Sequence, residues 1–153
     1  MRFLIILAIL SLPPLSHAET MDDLYVGERG VFYKKFSDRP FTGPIDDTVF
    51  SANPEERISL FKGQMKNGVK IGWWSEYWPN GRLASKGKYI PDPTNRYGMR
   101  DGGWVGYFPN GRLMFRGLYK MDKQEGRWEY YKEDGAVNPS FHGLFKNDRK
   151  IGD

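Results

Sequence analysis

The stretch WWSEYWPNGRL, Trp73 to Leu83, packs three tryptophans and a tyrosine into six residues and then turns on Pro-Asn-Gly. The same order returns as WVGYFPNGRL at Trp104 to Leu113. Aligning on the turn yields a third copy, so that G-x-W-x-x-Y-x-x-[N/D]-G recurs at Gly72 to Gly81, Gly102 to Gly111 and Gly126 to Gly135. Each copy is followed by a second half: Gly87-Lys88-Tyr89, Gly117-Leu118-Tyr119 and Gly143-Leu144-Phe145, with Gly63-Gln64-Met65 in that role before the first. KNGVKIGW at Lys66 to Trp73 and KNDRKIGD at Lys146 to Asp153 match as well, so the chain stops where another repeat would begin. Self-similarity at a fixed period marks an array of one supersecondary unit. The period is 24 residues from Trp104 to Trp128, and 30 from Trp74 to Trp104. The six extra residues fall in IPDPTNRYGMRDG, whose Pro, Asp, Asn and Gly content predicts a loop.

Each unit reads as a β-hairpin. Its flanks carry aromatic, β-branched and apolar residues that suit a pleated, half-buried surface. Pro presets φ, Asn tolerates the next position and Gly accepts positive φ, which predicts a type I turn with a Gly bulge. One hairpin cannot bury its own face, so neighbours must stack. The expected ladder is Trp74, Trp104 and Trp128 with Tyr77, Tyr107 and Tyr131, and the turns close at Gly81, Gly111 and Gly135. Strict alternation sets Trp74 and Tyr77 on opposite faces of a strand. Either a bulge restores one face or both faces carry aromatics. Trp73, Trp78 and Phe108 are extra to the pattern and are the candidates for an exposed interaction surface.

Outside the repeats, MRFLIILAILSLPPLSHA has the basic, apolar and small-residue layout of a secretory signal peptide, with cleavage expected near Ala18. Its apolar run is too short for a spanning helix, which needs about 20 residues. Residues 19–30 are acidic and expected to be loose. A repeat domain over 31–153 then divides into a degenerate cap (31–62), repeats at about 63–86, 87–116 and 117–142, and a partial copy at 143–153. The expected fold class is all-β, an array of stacked β-hairpins. An exported protein with this leader belongs in the periplasm or outside the cell.

The composition removes much chemistry. There are no cysteines, so disulfides, thiolate nucleophiles, Cys-ligated zinc and a lipidated N-terminal Cys are excluded. After leader removal only His142 remains, too little for a His-dependent triad or a His-rich metal site. Paired carboxylates such as Glu129 with Glu133, or Asp101 with Asp122, offer acid–base groups, but their spacing does not distinguish them from salt-bridging or turn-capping acids. Asp92, Asn95 and Asp101 offer oxygen ligands to Ca²⁺ and match no loop spacing. No enzyme activity, cofactor or metal is expected. Charge is uneven: nine acids face four bases from Glu19 to Glu56, and eighteen bases face ten acids from Arg57 onward. The bases are dispersed singly, which favours solvated faces over nucleic-acid binding.

The repeat pattern, with the lead-in Y-K-K-x-S-D-R-P-F-T-G at Tyr33 to Gly43, resembles the MORN repeat in the variant form of bacterial YwqK-type antitoxins, from Val31 to the C-terminus. The resemblance implies an all-β fold, an elongated single-layer antiparallel sheet of stacked β-hairpins, serving as a protein- or lipid-interaction scaffold, and it brings no catalytic residue. An antitoxin of a cytoplasmic toxin does not suit an exported chain. The leading expectation is a non-enzymatic envelope protein that binds another protein, with an immunity role against an exported toxin as one version. The alternative is a binder of anionic lipid or glycan through basic and aromatic surface. Edge-to-edge pairing of two copies is a further possibility.

Overall fold

A computed structural model describes residues 18–27, 30–47, 60–91 and 97–153. The expected leader lies outside the described residues apart from Ala18, as do Asp92, Asn95 and residues 48–59 of the expected cap. The described chain is nearly all strand: β1 (Leu24–Val26), β2 (Phe32–Lys34), β3 (Gly43–Asp46), β4 (Leu60–Lys66), β5 (Val69–Tyr77), β6 (Leu83–Ile90), β7 (Met99–Arg100), β8 (Gly102–Tyr107), β9 (Leu113–Lys120), β10 (Lys123–Tyr130), β11 (Gly143–Lys146) and β12 (Arg149–Gly152). β1 and β2 form a ribbon of their own. The others form one antiparallel sheet in the order β12-β11-β10-β9-β8-β6-β5-β4-β3, with β7 paired to β6. Sequential hairpins follow one another and the sheet does not close into a barrel. β12 has no strand on its outer side among the described residues.

A single-layer sheet needs an internal source of packing, and this one has a row in which tryptophan alternates with glycine. Trp74 pairs across to Gly87, Trp104 to Gly117 and Trp128 to Gly143. Each indole lies back over the glycine of the preceding strand: Trp74 over Gly63, Trp104 over Gly87, Trp128 over Gly117. A β-carbon on any of these three glycines would meet indole atoms under 3.0 Å. The indole N–H then donates to the carbonyl just after that glycine, at Gln64 (3.2 Å), Lys88 (3.3 Å) and Leu118 (3.0 Å). Thus the G-x-Y half-repeat supplies a floor, an acceptor and a flanking ring.

That flanking ring corrects the predicted ladder. Trp74, Tyr89, Trp104, Tyr119 and Trp128 run edge-to-face with centroids 4.7–6.2 Å apart. The tyrosines come from G-x-Y. Tyr77, Tyr107 and Tyr131 are instead on the other face: Tyr77 is the cross-strand partner of Leu60, and the Tyr131 hydroxyl donates to Glu129 (2.7 Å). The pairing shift beside Tyr77 puts the extra residue on β6, at Ala84, so it does not change the parity of β5. Both faces therefore carry aromatics.

The turns form two rails. At the Pro-Asn-Gly rail, Trp78 N donates to Arg82 O and Gly81 N to Trp78 O, with Gly81 at φ 78°, closing a three-residue loop with a glycine bulge. The turns at Gly111 and Gly135 repeat these bonds. Asn80 and Arg82 then donate to Pro109 O of the next turn, and Asn110 and Arg112 to Glu133 O. Along the opposite edge, Asn67-Gly68, Met121-Asp122 and Asn147-Asp148 are two-residue turns with both φ values positive, which matches the strand twist. Here Asp122 accepts from Arg100 N and Asp148 from Gln124 N.

Residues 19–26, within the segment expected to be loose, are tied down. Met21–Asp23 make a turn of 3-10 helix capped by Thr20 and Asp23, and β1 follows it. Leu24 and Phe32 of the ribbon join Ile45, Met65 and Trp74 in a buried cluster, the described region where the sheet gains a second layer. Glu19 pairs with Lys34 and bridges to Ile45. The end of the predicted inserted loop also carries structure. Met99–Arg100 pair with β6, and the Tyr97 ring meets Phe32 edge-on at 6.2 Å.

Candidate functional site

On the face opposite the ladder, the pairing register draws a transverse row Lys62, Ser75, Lys86, Val105, Arg116, Glu129. Beside it stand Trp73, which pairs with Lys88, and Gly103, which pairs with Leu118. Gly103 has open space where a side chain would be, so Trp73 and Leu118 wall an open groove of about 520 Å³. Trp73 is 62% exposed and Leu118 53%. These are large apolar surfaces to leave in water, at about 25 cal/mol per Å². The groove is rimmed by Lys86, Arg116 and Arg127 against one acid, Glu129.

The cations are not equivalent. Arg116 is engaged: Nε and Nη2 both reach Glu129 at 2.8 Å. Arg116 and the Tyr131 hydroxyl hold the Glu129 carboxyl below its ordinary range. Lys86 has no carboxylate partner among the described residues, and its ammonium lies 5.6 Å from the Trp73 ring centroid. Arg127 reaches the main-chain oxygen of Asp153, the last residue of the chain, and the His142 ring. The groove therefore presents an exposed indole beside Lys86, a cation with no carboxylate partner among the described residues.

The three extra aromatics do not form one surface. Trp73 stands on the groove face. Trp78, five residues on, lines a cleft on the ladder face and donates its indole N–H to Tyr107 O at 3.0 Å. Phe108 holds the equivalent turn position one hairpin later and is half-buried. The odd separation of Trp73 and Trp78 along an alternating strand is the reason.

The acids weighed for catalysis have structural partners. Glu129 is held by Arg116 and Tyr131, and Glu133 accepts from Asn110 with both its carbonyl and its carboxylate. Asp101 accepts from Met121 N and Asp122 from Arg100. His142 packs edge-on to Tyr131, and its Nδ1 accepts from Tyr130 N. Among the described residues no group of three or more His, Asp or Glu could hold a metal ion. No described helix is long and apolar enough to cross a membrane.

Lys70 is stacked on the ladder face. Lys70 Nζ lies 4.5 Å from the Trp74 ring centroid, 5.2 Å from Phe61 and 5.5 Å from Tyr89. Burial pushes its pKa down, and the nearby Glu76 carboxylate opposes that only in part. A lowered folded pKa means that the unfolded chain binds more protons between the folded and the ordinary values, so stability rises with pH in that window. Wild type is expected to gain stability relative to Lys70→Met as pH climbs from neutral towards about 10. Paired urea titrations at the two pH values check it. Tyrosine ionisation is common to both chains and cancels.

No protein-family model matches this chain, and no curated protein matches it in sequence.

Proposed function

We propose that this chain is an exported, non-enzymatic scaffold of MORN-type repeats that binds an acidic protein partner across the groove face. The observation that carries the reading is the exposed Trp73 beside Lys86, a cation with no carboxylate partner among the described residues. An aromatic anchor of this kind is the usual centre of an interface, and rim cations select an acidic surface. The leader-like N-terminus supports a place outside the cytoplasm. The engaged acids support a binding role over a catalytic one.

The test is in-cell crosslinking of the mature chain beside Trp73→Ala and Lys86→Glu, both shown to remain folded. A single envelope protein captured by wild type is expected to bind the purified chain about tenfold or more weakly after either change. Its association rate should also fall with added salt. Equal capture by all three chains would overturn the reading. The same cations suit an anionic lipid or glycan. Flotation with phosphatidylglycerol vesicles, lost on Lys86→Glu while no protein is captured, would select that second reading.

A further inference from the structure

The ladder face contains a second transverse row, Phe61, Glu76, Ser85, Gly106, Phe115, Tyr130, each residue paired to the next. At one end the row is aromatic. Phe115 and Tyr130 lie 5.9 Å apart and both pack on Trp128. In the middle, glutamate and serine replace rings, and the Phe115 ring lies over Gly106. The residue two places after the repeat tryptophan shows the change in the sequence: Tyr130 in the third copy, Gly106 in the second, Glu76 in the first. The result is a cleft of about 320 Å³, walled by Trp78, Tyr89, Trp104, Phe115 and Tyr119.

Its polar groups sit at the two ends. Glu76 and Ser85 occupy one, and Arg100, the cross-strand partner of Tyr89, the other. Four residues of β6 separate them, about 13 Å at strand rise. Glu76 is half-buried and accepts one hydrogen bond, from Ser85 Oγ at 3.1 Å, and it makes no ion pair among the described residues. A carboxylate offers about four acceptor sites, and a buried one is costly unless they are used. Arg100 spends Nε on the Asp122 carboxylate, one Nη2 proton on the Asp122 carbonyl and one Nη1 proton on the Tyr119 hydroxyl, leaving two of its five donors. Charge is balanced, with Lys70 near Glu76 and Asp122 on Arg100.

A balanced cleft repels neither sign strongly and attracts neither, so a charged ligand gains little. Aromatic walls with an acceptor at one end and a donor at the other suit a ring with apolar C–H faces and hydroxyl edges. The geometry points to a binding site for a neutral sugar of one or two rings: Tyr89 and Trp104, edge to face at 5.2 Å, line the wall against which its apolar face packs, Glu76 accepts from its hydroxyls, and Arg100 donates to it. The site is on the opposite side of the sheet from the Trp73 groove and stands whether or not that groove takes a partner.

The experiment is a titration of the ¹⁵N-labelled mature chain with cellobiose, maltose and N,N′-diacetylchitobiose to millimolar concentration, following the tryptophan indole signals. One of the sugars is expected to shift Trp78 and Trp104 saturably and leave Trp73 unmoved. Glu76→Gln keeps the shape and removes the charged acceptor, and should weaken binding about tenfold or more. Ser85→Phe places a ring where Phe115 stands in the next repeat, and should abolish the shifts. If Ser85→Phe does not fold, Glu76→Gln decides alone. No saturable shift with any of the three sugars, shifts centred on Trp73, or unchanged affinity in Glu76→Gln would overturn the proposal.

Discussion

Gly117→Ala is expected to destabilise the sheet by about 3 kcal/mol, the upper end for adding a methyl group to a filled site. The new β-carbon would fall under 3.0 Å from the fused carbons of Trp128, whose side chain is fully buried. The indole must move, and with it goes the 3.0 Å bond from its N–H to Leu118 O. Trp128→Ala should cost about 4 kcal/mol through lost burial and the cavity left behind. The informative result is the double variant. With the indole gone the methyl meets empty space and also restricts the unfolded chain, so the pair should cost no more than Trp128→Ala alone. The coupling is then about 3 kcal/mol and favours the pair in wild type. Gly103→Ala, which adds its methyl to open space on the other face, is the control and should stay within about 0.5 kcal/mol. Urea unfolding followed by far-UV circular dichroism reads all four variants. Additive single costs would show that tryptophan and glycine do not act as one packing unit.

That unit shows which parts of the fold were legible in the sequence. The hairpins and their Pro-Asn-Gly turns were, because turn chemistry is local: Gly81, Gly111 and Gly135 carry the positive φ that their places in the pattern demand. The stacking of hairpins followed from the repeat itself, and the single layer was what the resemblance to MORN repeats implied. The ladder partners were misassigned because the pattern ties Trp74 to Tyr77 by sequence, whereas contact across strands is set by register. The signal was present in G-x-Y. A glycine and a tyrosine two apart share a face, so one receives the indole and the other flanks it.

Arg82 and Arg112 went unweighed for a similar reason. Their retention after Asn-Gly marked a bond to the next turn, not to their own. The site was less legible still. That Trp73 and Trp78 face opposite ways follows from their odd spacing, but Lys86 comes beside Trp73 from the paired strand β6 and Arg127 joins the groove only through pairings across several strands. The cleft at Glu76 and Ser85 is an absence of rings at one row. It becomes visible only when the row is assembled from five hydrogen-bonded pairs.

The second large effect lies at the N-terminal cap. Asp47→Ala is expected to cost about 3 kcal/mol and to release the ribbon from the sheet. Asp47 is 1% exposed, and its carboxylate accepts from two backbone N–H groups that are distant in sequence: Met21 at 2.7 Å and Phe61 at 3.2 Å. Hydrogen bonds to an ionised group contribute about 1.5–3 kcal/mol each, and alanine would leave both donors without their acceptor. The two donors sit on the segment before β1 and on β4, so one side chain joins the acidic lead-in to the first full-length strand. Asp47→Asn should recover only part of the loss, since its amide turns one acceptor into a donor facing a donor. Hydrogen exchange locates the effect. Protection should fall at residues 20–26 and 32–34, whose cluster with Ile45, Met65 and Trp74 is opened, while Trp128 and its neighbours on β9 and β10 keep theirs. A uniform loss along the sheet would mean that the cap and the repeats unfold as one unit. Unchanged protection at 20–26 would mean that the apolar contacts of Leu24 and Phe32 hold the ribbon without Asp47.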